Sequence, residues 1–309
     1  MNISKIYLAS PRGFCAGVNR AITIVNAVLN KHGKPLYVRH HIVHNDHIIK
    51  EFEKKGVVFV EHIKEIPHGS TVILSAHGSA PTLYQQAKER KLLVYDATCP
   101  LVIKVHLEAK RYAKEGYHIV YIGHKNHPEA IGVMGEVSSD TITLVDTVLD
   151  VSKIVVPSRK GIIILTQTTL SMDDTKQIVE AIQKKYPSAI IPPTFDICYS
   201  TQNRQNAVKE LAMKKVEMIL VVGSQSSSNS NKLRDVAVQE GVEAHLINDC
   251  TEINPQWMEC KSIIGITAGA SAPDELIADV INHLANKKTI IEEVVTIKES
   301  VIFPLPKNL

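Results

Sequence analysis

The chain has 309 residues, of which 44% are hydrophobic and 22% charged, and its formal net charge is +3. These values are typical of a globular protein of two or three domains, and the charge is too small to indicate nucleic acid or an anionic membrane as a partner. The N-terminus lacks an apolar signal segment, and the longest apolar runs have only the length of strands. Five cysteines without a compact framework argue against disulfides, so a reducing cytoplasm is the expected location.

Short β-branched runs alternate with longer helical stretches along the whole chain, which predicts α/β units with mainly parallel sheets. Nine of these runs read as strands, and each leads into a turn that carries cysteine, histidine or small polar residues. In chain order the predicted strands are residues 5–9, 35–39, 71–75, 92–95, 118–122, 161–165, 190–195, 218–222 and 262–266.

Three cysteines follow the first, fourth and seventh predicted strands at near-even intervals: Cys15, Cys99 and Cys198. This spacing predicts three similar lobes, each giving one thiolate to a shared centre. Three thiolates without a fourth suit an iron–sulfur cluster with one open iron. Zinc is the competing metal, but structural zinc usually uses closely paired cysteines, which this chain lacks. Cys250 and Cys260 follow no strand in this way and are interpreted as buried small hydrophobic residues.

Each cysteine turn is followed by two polar turns, so the nine strand ends form three sets. Because ligands of open α/β sheets bind outside the carboxyl ends of the strands, the nine turns are expected to line one central cavity. The alternative is a doubly wound domain followed by a second domain, since any α/β protein shows some of this alternation.

The polar turns indicate a phosphorylated ligand. His44, His77 and His127 each follow a strand, where imidazolium groups can neutralise a polyanion. Residues 224–231 and 270–274 combine small polar side chains with the start of a helix, an arrangement that binds anions, although the first stretch also fits a flexible turn. Two such segments together with histidines predict a diphosphate. The chain has no phosphate-loop motif, so a nucleoside triphosphate is not indicated.

Glu129 is the candidate proton donor, because burial beside Thr168 would raise the pKa of its carboxyl. The alternatives are an ordinary surface carboxylate or one that only orients His127. No dinucleotide fingerprint is present, so electrons must come from outside the chain.

At these residues the chain closely resembles the 4-hydroxy-3-methylbut-2-enyl diphosphate reductase family, the last enzyme of the non-mevalonate isoprenoid pathway. The matching segments run in family order to about residue 280. They are residues 11–18 (PRGFCAGV), 37–40 (YVRH), 43–45 (VHN), 75–78 (SAHG), 96–102 (DATCPLV), 127–129 (HPE), 166–171 (TQTTLS), 196–198 (DIC), 227–231 (SSNSN) and 267–274 (TAGASAPD).

The resemblance implies a trefoil of three α/β lobes around a [4Fe-4S] cluster held by Cys15, Cys99 and Cys198, with the fourth iron open to the substrate hydroxyl or to water. By similarity the diphosphate is held by His44, His77, Ser227, Ser228, Asn229 and Ser271, with help from His127, and Thr168 also belongs to the substrate-binding set. His127, Thr168 and Glu129 form the catalytic set, in which Thr168 and Glu129 line the proton route.

The implied reaction is the reductive removal of the hydroxyl from an allylic diphosphate, which gives isopentenyl and dimethylallyl diphosphate, with electrons from ferredoxin or flavodoxin. The predicted lobes are residues 17–99, 100–197 and 198–285, the last completed by an N-terminal strand within residues 1–16, and residues 286–309 form a tail. Two other functions stay open on the residues alone: an iron–sulfur hydro-lyase acting on a phosphorylated substrate, and a non-enzymatic cluster sensor.

Overall fold

The computed structural model describes residues 3–157, 159–192 and 196–309. Within them lie twelve strands: β1 Lys5–Ser10, β2 Leu36–Arg39, β3 Val57–Val60, β4 Thr71–Leu74, β5 Leu93–Asp96, β6 His118–Ile122, β7 Ile142–Val145, β8 Ile162–Thr166, β9 Met218–Val222, β10 Ala244–Ile247, β11 Ile263–Ala268 and β12 Ile290–Val295. The same residues include nine α-helices: α1 Ala16–His32, α2 Asp46–Lys54, α3 Pro81–Glu89, α4 Pro100–Lys114, α5 Pro128–Met134, α6 Met172–Lys185, α7 Tyr199–Met213, α8 Ser228–Gln239 and α9 Asp274–Leu284.

The strands form three sheets, and every pairing in them is parallel. Their orders are β10-β9-β11-β1-β12, β3-β2-β4-β5 and β7-β6-β8. The predicted α/β class with parallel sheets in three sets is therefore confirmed. None of the described helices is both long and apolar enough to cross a membrane.

The chain divides into two compact units. The first unit comprises Met1–Val18, His44–Lys50 and Tyr199–Ile302, and it contains the five-stranded sheet. The second unit comprises Asn19–Val43, Glu51–Cys198 and Phe303–Leu309, and it contains the other two sheets. The predicted lobe boundaries stay a prediction.

In the first unit, β1 lies inside the sheet between β11 and β12, so that Lys5 is in register with Ile263 on one side and Ile290 on the other. Successive side chains of a strand point to opposite faces. Ile6 and Leu8 accordingly belong to one apolar core and Ala9 to another. A sheet covered on both faces explains why its inner strands read as continuous apolar runs.

In the second unit, β6 and β8 are buried along their whole length. Val120 and Ile122 pack into one core and Ile119 and Tyr121 into another, one on each face of the three-stranded sheet. Helices α3, α4 and α5 each begin with proline, which suits the first helical position because its missing N–H would have no helical acceptor there.

Four strands were not among those predicted: β3, β7, β10 and β12. β12 carries Glu292 and Glu293 in its centre, so its apolar pattern is weak. The other three are four residues long, but so are β2, β4 and β5, which were predicted, so length does not explain why they were missed. Residues 286–309, predicted as a tail, thus contain a strand. In the predicted strand 190–195, Ile190 forms an isolated parallel bridge with Ile163. Residues 193–195 lie outside the described part of the chain.

Candidate active site

Each of the three predicted cysteine ligands stands immediately before a helix. Cys15 precedes α1, Cys99 is the N-cap of α4 and Cys198 precedes α7. All three are half-buried, and the amide of Val18 in the first turn of α1 donates to the Cys15 Sγ at 3.4 Å. The positive end of a helix stabilises a thiolate, so all three positions favour a metal-binding form of cysteine. Cys250 is also half-buried and Cys260 is exposed, so the prediction that these two are buried is wrong.

The backbone fixes each of these cysteines to a second loop within its own unit. In the first unit the amide of Cys15 donates to the carbonyl of Ala270 at 3.1 Å. In the second unit the amide of Cys99 donates to the carbonyl of Ala76 at 3.0 Å, and that of Cys198 donates to the carbonyl of Thr168 at 3.0 Å. Each cysteine is therefore tied to a loop that also carries a predicted substrate-binding residue.

The N-terminus of α8 in the first unit carries three of the predicted diphosphate ligands. Ser227 is its N-cap, and its Oγ accepts a hydrogen bond from the amide of Ser230 at 3.2 Å. Ser228 is the first helical residue. Asn229 is 6% exposed, and neither Nδ2 nor Oδ1 of its amide has a hydrogen-bond partner among the described residues. A buried amide without a partner is unfavourable, so this side chain indicates a polar ligand that completes it.

Glycine at position 269 allows this helix end to approach the neighbouring loop. A Cβ there would collide with the hydroxyl of Ser230 and would lie 3.5 Å from the Asn229 Nδ2. The same loop holds Cys15 through Ala270. It also carries Ser271, whose Oγ donates to the carbonyl of His44 at 2.9 Å. Residues 269–271 thus connect the predicted site residues of the first unit, because they contact Cys15, His44 and the N-terminus of α8.

The helix that follows this loop is acidic at its start. Pro273 is the N-cap of α9, and Asp274 and Glu275 occupy its first turn. Carboxylates in the first turn interact favourably with the positive end of the helix dipole, so this helix end is less attractive to a further anion. Within residues 270–274, Ser271 is the remaining polar side chain, but its one hydroxyl proton is donated to the His44 carbonyl, so binding of an anion there requires this hydroxyl to turn away from His44.

In the second unit, His77 and His127 lie side by side, with ring centroids 6.1 Å apart in an edge-on arrangement. The Nδ1 of His77 is 3.2 Å from the hydroxyl of Ser75. His127 is the N-cap of α5, and its Nδ1 accepts a hydrogen bond from the amide of Glu129 at 3.2 Å. Because Nδ1 accepts, the proton of the neutral His127 ring is on Nε2, which suits donation to an anionic ligand.

Glu129 is the buried carboxyl that the sequence predicts beside Thr168, with 2% of its surface exposed. Its Oε1 accepts from the amide of Thr168 at 2.7 Å, and its Oε2 accepts from the Thr168 hydroxyl at 2.8 Å. Burial raises the pKa of Glu129 to about 7, against the hydrogen bonds from Thr168, and the nearby charge of Asp196 adds to the increase. The carboxyl can therefore hold and release a proton near neutral pH.

Two buried residues near Glu129 had no predicted role. Burial, followed by the charge of Glu129, raises the pKa of the Tyr121 phenol, so this group stays protonated. Asp196 accepts from the amide of Thr166 at 3.0 Å and from the Lys104 Nζ at 3.1 Å, and burial raises its pKa. The sequence offers a signal only for Asp196, which lies two residues before Cys198.

The described residues thus place the predicted site residues in two sets. The first unit holds Cys15, His44, Ser227, Ser228, Asn229 and Ser271. The second unit holds Cys99, Cys198, His77, His127, Glu129 and Thr168. Thr168 joins Glu129 to Cys198 within the second unit in the way that residues 269–271 join Cys15 to His44 in the first.

The chain matches a family model described as LytB protein over residues 6–285. A relative from Nitrosomonas europaea, named 4-hydroxy-3-methylbut-2-enyl diphosphate reductase, is 48% identical over 312 aligned residues that cover 98% of this chain and 96% of the relative. A relative of the same name from Histophilus somni is 47% identical, and the alignment covers 99% of this chain and 98% of the relative.

Solved structures agree with these relatives. The E-1-hydroxy-2-methyl-but-2-enyl-4-diphosphate reductase from Plasmodium falciparum superposes with a TM-score of 0.95 at 40% identity, over 99% of this chain and 96% of that one. A second structure superposes with a TM-score of 0.66 at 30% identity, over 91% of this chain and 99% of that one. Its title describes (E)-4-hydroxy-3-methyl-but-2-enyl diphosphate reductase, the terminal enzyme of the non-mevalonate pathway.

Proposed function

Since this chain belongs to the LytB family of 4-hydroxy-3-methylbut-2-enyl diphosphate reductases, we propose that it reduces this allylic diphosphate with the residues described above. The enzyme is an oxidoreductase of the non-mevalonate isoprenoid pathway. Two electrons and two protons convert the substrate to product and water. One proton leaves with the hydroxyl as water, and the other is added to the allylic carbon skeleton, giving isopentenyl or dimethylallyl diphosphate.

Cys15, Cys99 and Cys198 are the proposed ligands of a [4Fe-4S] cluster. Their donor set fits this group, because soft thiolates are the preferred ligands of iron–sulfur clusters and each thiol here precedes a helix. When bound, such a cluster supplies electrons and a Lewis-acidic iron that lacks a protein ligand. Its electrons are proposed to come from an external carrier of the ferredoxin or flavodoxin type.

The diphosphate is proposed to bind to His44, His77, Ser227, Ser228, Asn229 and Ser271, with help from His127. The buried amide of Asn229, which has no hydrogen-bond partner among the described residues, supports this assignment most directly. The N-terminus of α8 adds backbone amides and the positive end of its dipole. These residues hold the substrate by its anionic end and leave its hydroxyl for the chemistry.

Proton delivery is assigned to Glu129 through Thr168, and this pair is the observation that supports the proposed function best. The Thr168 hydroxyl donates to Glu129, and the Thr168 carbonyl accepts from the amide of Cys198. Thr168 therefore connects an acid with a pKa of about 7 to a proposed cluster ligand through two hydrogen bonds. General acids work best when their pKa is close to the operating pH, so a pKa of about 7 suits an acid that works near neutral pH.

The direct test is conversion of the diphosphate by anaerobically purified protein, with and without an artificial reductant. We expect water release and product only with the reductant. Conversion without a reductant would indicate the hydro-lyase, and stable cluster binding without any conversion would indicate the sensor. Calorimetric titration with the dephosphorylated alcohol supplies a control for binding, and equal affinity for the two ligands would contradict the proposed diphosphate site.

The cluster ligands are tested by replacing Cys15, Cys99 or Cys198 with serine, one at a time. Each variant should lose most of its iron, because a hydroxyl is a poor substitute for a thiolate. Cys250→Ser and Cys260→Ser are the matched controls and should keep their iron. Loss of iron from Cys250→Ser but not from Cys15→Ser would overturn the assignment.

A further inference from the structure

We propose that the buried side chain of Arg204, with Glu299 as its charge partner, positions the turn that carries Cys15. The C-terminal segment would then be part of the scaffold of the metal site. The inference rests on the proposed function only in the role given to Cys15. All the contacts that carry it lie within the first unit.

Arg204 is 1% exposed and uses its guanidinium to hold the backbone before Cys15. Its Nε and Nη2 both donate to the carbonyl of Gly13, at 3.2 and 2.8 Å. Its Nη1 donates to the carbonyl of Ser200, one turn earlier in α7, at 2.9 Å. The guanidinium thus connects α7 to the Cys15 turn by a two-donor contact that a lysine cannot reproduce.

Glu299 supplies the negative charge that allows this guanidinium to be buried. The Arg204 Nη1 lies 3.1 and 3.2 Å from the two carboxylate oxygens of Glu299. The side chain of Glu299 is 16% exposed, and its Oε1 also accepts from the Asn203 Nδ2 at 3.0 Å. Removing one partner of a buried ion pair leaves an uncompensated charge, so the loss of Glu299 should loosen the hold of Arg204 on Gly13.

The turn also contacts the loop before α9 and the first residue of that helix. Gly13 has a φ of +67°, and a Cβ there would lie 3.1 Å from the Asp274 Oδ1 and 3.3 Å from the carbonyl of Ala272. The amide of Cys15 donates to the carbonyl of Ala270. The left-handed turn at Gly13 is therefore in contact with both that loop and Arg204. The direction in which the Cys15 side chain points from the turn depends on both contacts.

Glu299→Gln tests the idea, because it removes the charge and keeps the size of a side chain that is already in contact with solvent. Residues that orient metal ligands typically affect metal affinity by about 10–100-fold. We expect anaerobically purified Glu299→Gln to lose iron to a chelator at least about tenfold faster than the unmodified protein. Amide hydrogen exchange of residues 13–18 should also be faster, and Arg204→Lys should show the same two changes.

Glu292→Gln is the matched control. Glu292 lies on the same C-terminal segment and forms an ion pair with Lys5 at 2.7 Å, but it is half-exposed. Among the described residues Arg204 makes no hydrogen bond to it. The iron loss of this control variant and its exchange at residues 13–18 should stay within twofold of the unmodified protein. Equal effects of the two substitutions, or a Glu299→Gln protein with unchanged exchange at residues 13–18, would overturn the proposal. If the unmodified protein binds no iron, the proposed function fails, while the exchange measurement still decides the role of Arg204.

Discussion

The carboxyl of Glu129 is the residue on which the proposed proton delivery depends. Glu129→Gln keeps the size of the side chain but cannot donate a carboxyl proton. Its turnover with an artificial reductant should fall by about 10²–10⁴-fold, while iron content and diphosphate affinity stay unchanged. In the unmodified enzyme, turnover should fall as the pH rises above about 7, because the acid form is then lost. Near-normal turnover by an iron-loaded Glu129→Gln would assign the proton to another donor.

The same carboxyl makes stability depend on pH. Because the pKa of Glu129 is raised from 4.5 to about 7 on folding, the folded protein keeps a proton that the unfolded chain has released between these pH values. The free energy of unfolding therefore falls as the pH rises through this range, by about 3 kcal/mol in total at about 1.4 kcal/mol per pKa unit. Anaerobic urea unfolding of Glu129→Gln should show that its stability relative to the unmodified protein improves between pH 5 and pH 8. A difference that does not change with pH would contradict the raised pKa.

Asn229 and Asn231 provide a contrast between binding and stability. Asn229→Ala should weaken diphosphate binding by about 10–150-fold, which corresponds to about 1.5–3 kcal/mol for hydrogen bonds to a charged group. It should not lower stability, since the amide has no protein partner among the described residues. The Asn231 Nδ2, in contrast, donates to the carbonyls of Gln225 and Ser227 at 2.8 and 2.9 Å.

Asn231→Ala should accordingly lower the free energy of unfolding by about 1 kcal/mol and change affinity less than Asn229→Ala does. Calorimetric titration and urea unfolding of both variants measure the two effects. If Asn229→Ala is the less stable variant and binds the diphosphate normally, the amide is structural.

Sequence reasoning considered Glu129 beside Thr168 as a condition for its role, and the family resemblance placed both on the proton route. The structure gives the physical reason for their contact, since the two residues follow β6 and β8, which are neighbours in one sheet. Sequence reasoning did not reach the link from Arg204 to Gly13 and Glu299. Those three residues are far apart along the chain and lie in a helix, a turn and the C-terminal segment. A contact of this kind depends on how elements pack, which no local pattern encodes.

At the scale of single elements, substitutions at two helix N-caps distinguish an effect on anion binding from an effect on helix stability. Ser227 caps α8 at the proposed diphosphate site, whereas Ser171 caps α6 by accepting from the amides of Asp173 and Asp174 at 3.1 and 3.3 Å. Replacing either serine with alanine should lower the free energy of unfolding by about 0.5–2 kcal/mol. Only Ser227→Ala should also weaken the binding of the diphosphate, as measured by calorimetric titration. Equal loss of affinity in Ser171→Ala would show that the effect is general destabilisation.

The elements that the sequence predicted best are the buried strands. The apolar runs at residues 118–122 and 218–222 coincide with β6 and β9. The element that it missed with the largest consequence is β12, in which Ile290 and Ile291 are exposed and only Val294 is buried. An edge strand with one buried side chain lacks the periodicity by which strands are recognised. Its pairing partner, β1, is at the other end of the chain.

At the scale of the whole molecule, the five-stranded sheet joins the two ends of the chain. β1 pairs with β11 on one side and with β12 on the other. The sheet around β1 is therefore complete only when β12, near the other end of the chain, has paired with it. Contacts between segments this distant in sequence form late and slowly. Together with Glu299, β12 makes residues 290–302 part of the first unit, whereas Phe303–Leu309 belong to the second.

Truncation after residue 286 should therefore disrupt the first unit. It removes β12, exposes the hydrogen-bonding edge of β1 and uncovers the apolar core that Val294 shares with Ala9 and Leu211. An unprotected inner strand is a template for pairing with other chains, so the truncated protein should self-associate. Size-exclusion chromatography with light scattering measures this, and truncation after residue 302 is the control, because it keeps β12 and Glu299 and should elute like the full chain. A 1–286 protein that elutes as the full chain does, with unchanged hydrogen exchange in β1, would show that the sheet is stable without its last strand.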